Sequence, residues 1–269
     1  MSVLTLADTA EKVTLALRVK DRDKMIDFYQ GLIGFNLKQE ENTLAILGVK
    51  EDNTQHLWLE ESPRAEERFG EVKKLQKATL TVPSVEEISD LYQRLKEASY
   101  PIVQASYDEG VRLAVDDPEE NRLEVLATNE ENKVENEEQL LALASGNFTG
   151  LTKGASFQQV YLNVTVPQKE ENFLQDHLGF YLGENGKANS EFDISLYSSD
   201  SHAVDMDNSD VLGLEIIRFV VPSEIFNSLE EHLTNKNQTF YIDKKKSLLT
   251  VYDPAGVEWW FVRKNDKES

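Results

Sequence analysis

The feature that most constrains this chain is an internal repeat, because self-similarity at a fixed spacing dictates how many units the fold contains. Leu17-Arg18-Val19, followed by Phe28-Tyr-Gln-Gly-Leu-Ile-Gly34-Phe35, returns as Leu162-Asn163-Val164, followed by Phe173-Leu-Gln-Asp-His-Leu-Gly179-Phe180. Val19 and Val164, Gln30 and Gln175, and Phe35 and Phe180 are each 145 residues apart. Val82-Pro83-Ser84 matches Val221-Pro222-Ser223 at a spacing of 139, and Asp117-Pro118 matches Asp253-Pro254 at 136. The matches keep one order in both halves, which is the mark of a duplication.

Each half holds two related units. A unit opens with an alternating strand, at 13–19, 77–82, 159–164 and 216–221. A cap-like Asp, Pro-Ser or Pro-Gln and an amphipathic helix follow; in the second unit Val85, Ile88, Leu91, Tyr92 and Leu95 recur at helical spacing. Short alternating strands at 56–60, 111–116, 122–126 and 248–252 complete the units. The acidic run TNEENKVENEE and a short helix over 139–144, ahead of Gly146 and Gly150, read as a linker. The predicted fold is therefore α+β: two tandem domains, each of paired βαβββ modules, four modules in all, with helices on the convex face of curled mixed sheets. The first domain spans 1–128, the linker 129–156 and the second domain 157–265.

Composition narrows the function. The chain has 49 acidic and 28 basic residues, for a net charge of −21, so nucleic acid and anionic membrane surfaces are excluded as expected partners. It has no cysteine, which removes disulfides, thiolate metal sites and a cysteine nucleophile. The N-terminus MSVLTLADTAEKV lacks a basic segment and a long apolar core, and no apolar run reaches the ~20 residues of a membrane span, so the expected location is the cytoplasm.

The helix-end pattern F-[YL]-Q-x-x-[IL]-G-F and the hairpin Asp117-Pro-Glu-Glu-Asn121-Arg-Leu-Glu124 resemble the vicinal oxygen chelate superfamily, which includes glyoxalase I, bleomycin-resistance proteins and extradiol dioxygenases. The run LWLEESP at 57–63, leading to the strand KATLTVP, most resembles the bacterial CppA family of Gram-positive cocci. The resemblance covers nearly the whole chain outside the linker. It implies ligand binding on the concave sheet face, and the family's name, that of a complement-degrading proteinase, implies proteolysis as an alternative.

Alternation at period two assigns the faces. Leu15, Leu17, Val19, Leu57 and Leu59 belong under the helices, which leaves Arg18, His56, Trp58 and Glu60 facing the cup. The same rule adds Lys77, Arg112, Arg122 and Glu124, with Asp116 beside them. The N-terminal cup thus gathers four bases in a strongly acidic protein, which suits a small polar or anionic ligand. The alternative is that the bases simply pair with Glu60, Glu124 and Asp116. The second cup, with Gln159, Tyr161, Asn163, Arg218, Thr250, Tyr252, Glu258 and Trp260, is less charged and more aromatic.

Metal-using members of the superfamily supply His from opening strands and Glu from closing ones. Here the opening positions are Thr14, Lys77, Gln159 and Ile216, and the closing ones Glu124 and Trp260. No metal or other cofactor is expected. His177, His202 and His232 read as local packing or surface. There is no H-E-x-x-H helix and no G-x-S-x-G elbow, and Asp8-Thr9-Ala10 precedes the first strand. The leading expectation is a metal-independent ligand-binding protein, with a homodimer as a further expectation. A dioxygenase, a glyoxalase or a CppA-type proteinase is the alternative.

Overall fold

A computed structural model describes residues 6, 11–128, 133–180, 182 and 192–264. The first module contains β1 (Glu11–Val19), α1 (Arg22–Ile26) running on into a π-helical turn over Asp27–Ile33, β2 (Asn36–Glu41), β3 (Leu44–Gly48) and β4 (Gln55–Glu61). The second contains β5 (Leu75–Thr81), α2 (Val85–Glu97), β6 (Gln104–Ser106), β7 (Val111–Asp116) and β8 (Arg122–Ala127). After α3 (Glu137–Ala142) come β9 (Ser156–Val164), α4 (Pro167–Asp176), β10 (Asp193–Ser198) and α5 (His202–Asp205) of the third. The fourth has β11 (Gly213–Val221), α6 (Ser223–Asn235), β12 (Tyr241–Ile242), β13 (Leu248–Tyr252) and β14 (Glu258–Arg263). Among the described residues no helix is long and apolar enough to cross a membrane.

Local chemistry explains the boundaries. Asp21 and Ser84 cap α1 and α2 by accepting from the backbone of Lys24 and Glu87. The conserved spacing of the I-G-F and L-G-F ends has a backbone cause: Gly34 and Gly179 sit at φ +101° and +70°, where a side chain is strained. Gly34 also accepts a bond from the amide of Leu151 at 2.7 Å, and a Cβ there would lie 2.7 Å from the Cα of Gly150.

In the first, second and fourth modules the opening strand runs parallel to the closing one, as β1 with β4, β5 with β8, and β11 with β14. In the third, β9 runs parallel to β10. The other edge of each opening strand is filled from the other half of the chain. β1 pairs antiparallel with β11, and β5 with β9. The result is an eight-stranded sheet, β12-β13-β14-β11-β1-β4-β3-β2, and a six-stranded sheet, β10-β9-β5-β8-β7-β6. The paired modules are thus first with fourth and second with third. The expected single N-terminal cup does not form, because the strands bearing Arg18 and Lys77 belong to different sheets. The apolar faces of both sheets share one continuous core, in which Leu15, Leu17, Leu80, Val125, Ile217, Phe219 and Trp259 are buried.

The Asp-Pro turns fasten the two sheets together. Asp117, buried in the second module, accepts from the Tyr29 hydroxyl of the first module at 2.9 Å and from Glu119 N, Asn121 N and Asn121 Nδ2. Glu119 accepts from the amides of Lys20 and Asp21 across the same junction. In the second half, Asp253 accepts from Val257 N and Trp259 Nε1, both at 2.8 Å, and Glu170 of α4 bonds to it. Burial first, and then the charge of Asp253, pushes the Glu170 carboxyl up to about 9, so it is the member that carries the proton.

The sign of the resulting pH dependence follows. An unfolded glutamate ionises near its ordinary value of 4.5, so between there and about 9 the folded chain holds a proton the unfolded chain has lost. Stability from this pair is full below pH 4.5 and falls as pH rises toward 9. Glu170→Gln keeps a donor for Asp253 and removes the titration. Thermal melts across that range are expected to show the variant overtaking the wild type as pH rises; a constant difference would refute the assignment.

Candidate functional site

The six-stranded sheet brings Lys77, Arg112 and Glu124 together as expected, and closes them on one another. Glu124 Oε1 accepts from Thr79 Oγ1 at 3.0 Å and from Arg112 Nη1 at 3.1 Å, and its Oε2 accepts from Lys77 Nζ at 3.0 Å. The Lys77 ammonium also lies 4.2 Å from the centre of the Tyr161 ring. Tyr161 donates to Gln159, which donates to Ser195. At the rim, Arg122 grips Asp116 through two bonds of 2.8 and 2.9 Å. Every base expected on this face has a carboxylate.

The eight-stranded sheet carries Arg18, Trp58 and Glu60. Arg18 bonds to Glu215 and, at 3.1 Å, to Ser62 Oγ. Burial pushes the Glu215 carboxyl up, with the Arg18 charge opposing it. His56 does not face this cup. The β3–β4 register shifts at Gly48–Gln55, and the bulge turns the imidazole into the core, against Phe35. There His56 Nε2 lies 2.9 Å from Ala155 O and Nδ1 3.2 Å from Thr54 O, and burial lowers its pKa against these contacts, so the ring packs in the core away from the cup.

Where the first and fourth modules meet, the register sets Thr14 opposite Arg218 and Arg218 beside Trp260. The Thr14 hydroxyl donates to Gln55 O and accepts from Arg218 Nη1 at 3.2 Å. The Arg218 guanidinium lies 5.5 Å from the Trp58 ring centre, and Trp58 packs edge-on against Trp260 at 5.7 Å. Trp58 Nε1 donates to Gln55 Oε1 at 3.0 Å, whereas the buried Trp260 Nε1 has no partner. Burial alone lowers the Arg218 pKa, and no carboxylate among the described residues offsets it. The arginine opens onto a cavity of about 250 Å³, which Lys12, Arg263 and Lys264 also line together with Gln55 and Asn53. No acidic residue among those described lines it.

Alternation places Arg218 on a cup face, but only the cross-half pairing of β1 with β11 shows that it shares that face with Trp58. Lys12, Arg263 and Lys264 lie at strand ends, where period-two reasoning stops.

These donors do not fit a divalent ion. Thr14 and Ile216 stand at opening-strand positions of this sheet and Trp260 at a closing one; in the other cup Glu124 is already bonded to two cations. Among the described residues no group of three His, Cys, Asp or Glu side chains is placed to hold a metal. A serine-based hydrolytic centre finds no geometry either. Ser198, Ser199, Asp200, His202 and Asp205 border one open depression, but no hydrogen bond among the described residues joins His202 to a serine or a carboxylate.

Comparison with known proteins agrees with this fold. Residues 13–136 match the family CppA N-terminal and residues 154–261 the family CppA C-terminal. The structure is similar to the cppA protein of Streptococcus pneumoniae TIGR4, with 19% identity, 96% of this chain and 99% of that chain covered, and a TM-score of 0.71. It is also similar to glyoxalase I from Zea mays, with 13% identity, coverage of 93% and 92%, and a TM-score of 0.57. At these identities the likeness speaks for the fold. No curated protein sequence matches significantly.

The two arrangements of charge differ in what they contribute to stability. Glu124 is 11% exposed and serves two cations, so Glu124→Ala is expected to destabilise by about 3 kcal/mol. The half-exposed Arg122–Asp116 pair is expected to contribute less than about 1 kcal/mol, measured as Arg122→Ala. Urea denaturation of both variants checks the contrast, and equal losses would contradict it.

Proposed function

The chain belongs to the CppA family, and on that footing we propose that it is a ligand-binding protein of glyoxalase-like fold that holds a small polar or anionic molecule without a metal. The site is the cup shared by the first and fourth modules. One observation carries this reading: Arg218 is half-buried, no carboxylate among the described residues offsets its charge, and the other charged walls of the cavity it faces are, among those residues, basic.

The physical reasoning is a matter of unmet demand. A guanidinium is charged at any physiological pH, and removing it from water without a counter-ion is costly. The Thr14 hydroxyl and the Trp58 face meet part of that cost. An anion in the cavity meets the rest, through charge-assisted bonds in a partly desolvated place. Lys77 and Arg112 cannot act in the same way, because Glu124 already occupies them.

The test is a thermal-shift and calorimetric screen with inorganic phosphate, acetate and malonate. At least one is expected to raise the melting temperature of the wild type. Arg218→Met should weaken that anion more than about tenfold, the loss of one charge-assisted contact, whereas Lys77→Met should leave its affinity unchanged. A wild type indifferent to every anion, or an Arg218→Met variant that binds as before, would end the proposal.

A further inference from the structure

The charge count of the cavity specifies more than an anion. Resting on the reading above, we infer that the ligand is a short-chain dianion, with one acidic group on Arg218 and a second, a few bonds away, between Lys12 and Arg263.

Three observations carry this. First, the bases are spread along the sheet. Arg218 pairs with Trp260 in the β11–β14 register and Val221 with Arg263. Three residues at about 3.3 Å each set the two arginines roughly 10 Å apart along the strands, on alternate pleats, and Arg263 reaches the cavity where β14 ends. A single carboxylate on Arg218 leaves Arg263 unanswered.

Second, the cavity is small. At about 250 Å³ it falls below the roughly 300–1,000 Å³ of drug-sized sites. A ligand that spans it and offers two charges has a short backbone: a dicarboxylate, or a carboxylate bearing a phosphoryl group.

Third, the chain departs from regular strand geometry to bring a base there. Between Glu11 and Thr14 the β1–β11 register shifts, and Lys12 takes φ 51°, the left-handed region that side chains avoid. A bulge re-aims a side chain, and here the re-aimed lysine lines the cavity. Strain held at a site is an argument for use. A glycine would relieve it, so stability alone does not account for a lysine at this position.

Calorimetric titration of the full chain at an ionic strength of about 0.15 M, where surface charges are screened, tests the inference. The probes are glutarate and the methyl monoester of 3-phosphonopropionate as dianions and butyrate as the monoanion. At least one dianion is expected to bind about tenfold or more tightly than butyrate, and which one does identifies the second acidic group. Lys12→Gly and Arg263→Gln should each bring that dianion down toward butyrate, while Arg218→Met removes both. Lys12→Gly should do so without lowering the melting temperature, which a purely structural lysine would not allow. Equal affinity for monoanion and dianion, or a preference untouched by Lys12→Gly and Arg263→Gln, would overturn the dianion and leave the anion site standing. Absence of all binding to the wild type would overturn both.

Discussion

Two buried aspartates set the terms for the rest of the molecule. Asp117 and Asp253 each sit in a tight Asp-Pro turn, and each is bonded to a helical segment from the neighbouring module of its own half, through Tyr29 and Glu170. Because the two modules of each half lie on different sheets, these bonds hold the two sheets together. Asp117 accepts four donors, which oppose the upward push that burial gives its carboxyl, while Glu170 stays protonated and donates to Asp253. Equivalent turns are thus satisfied by different partners, a tyrosine hydroxyl in one half and a carboxyl in the other.

That interleaving decides where function can reside. A cup in this fold is assembled from the first and last quarters of the chain, or from the two middle ones, and never from one half alone. The two cups then differ in a single respect. On the six-stranded sheet Glu124 stands among the bases and neutralises them; on the eight-stranded sheet no carboxylate among the described residues offsets the burial of Arg218. In a chain of net charge −21 the long-range field opposes an incoming anion. Affinity for the proposed anion would then come from contacts inside the cavity, where desolvation strengthens them, and not from steering.

Much of this was legible in the sequence. The repeat fixed the modules, and the alternation of Leu15, Leu17 and Val19 against Arg18 assigned faces that hold in the structure. Strand limits followed the turn residues closely; 111–116 and 248–252 are the observed β7 and β13. Two things were hidden. Period-two counting carries no information about which strand fills an open edge, so Arg18 and Lys77 were grouped although they sit on separate sheets. It also fails at a bulge: one extra residue before Leu57 sends His56 to the opposite face, and the same device at Lys12 turns a lysine into the cavity.

The exchange at the centre of the eight-stranded sheet gives the site its logic. The superfamily resemblance implies histidine at the opening-strand positions of a metal-using member. Here Thr14 occupies such a position and its hydroxyl accepts from a guanidinium rooted in the facing strand. A positive charge therefore remains between the modules, but it is covalently fixed, flat and rich in directed N–H donors. A divalent ion suits chelation by two adjacent oxygens, whereas a guanidinium suits the two oxygens of one acidic group. On the proposed reading, replacing the first with the second exchanges polarisation of a ligand for its retention.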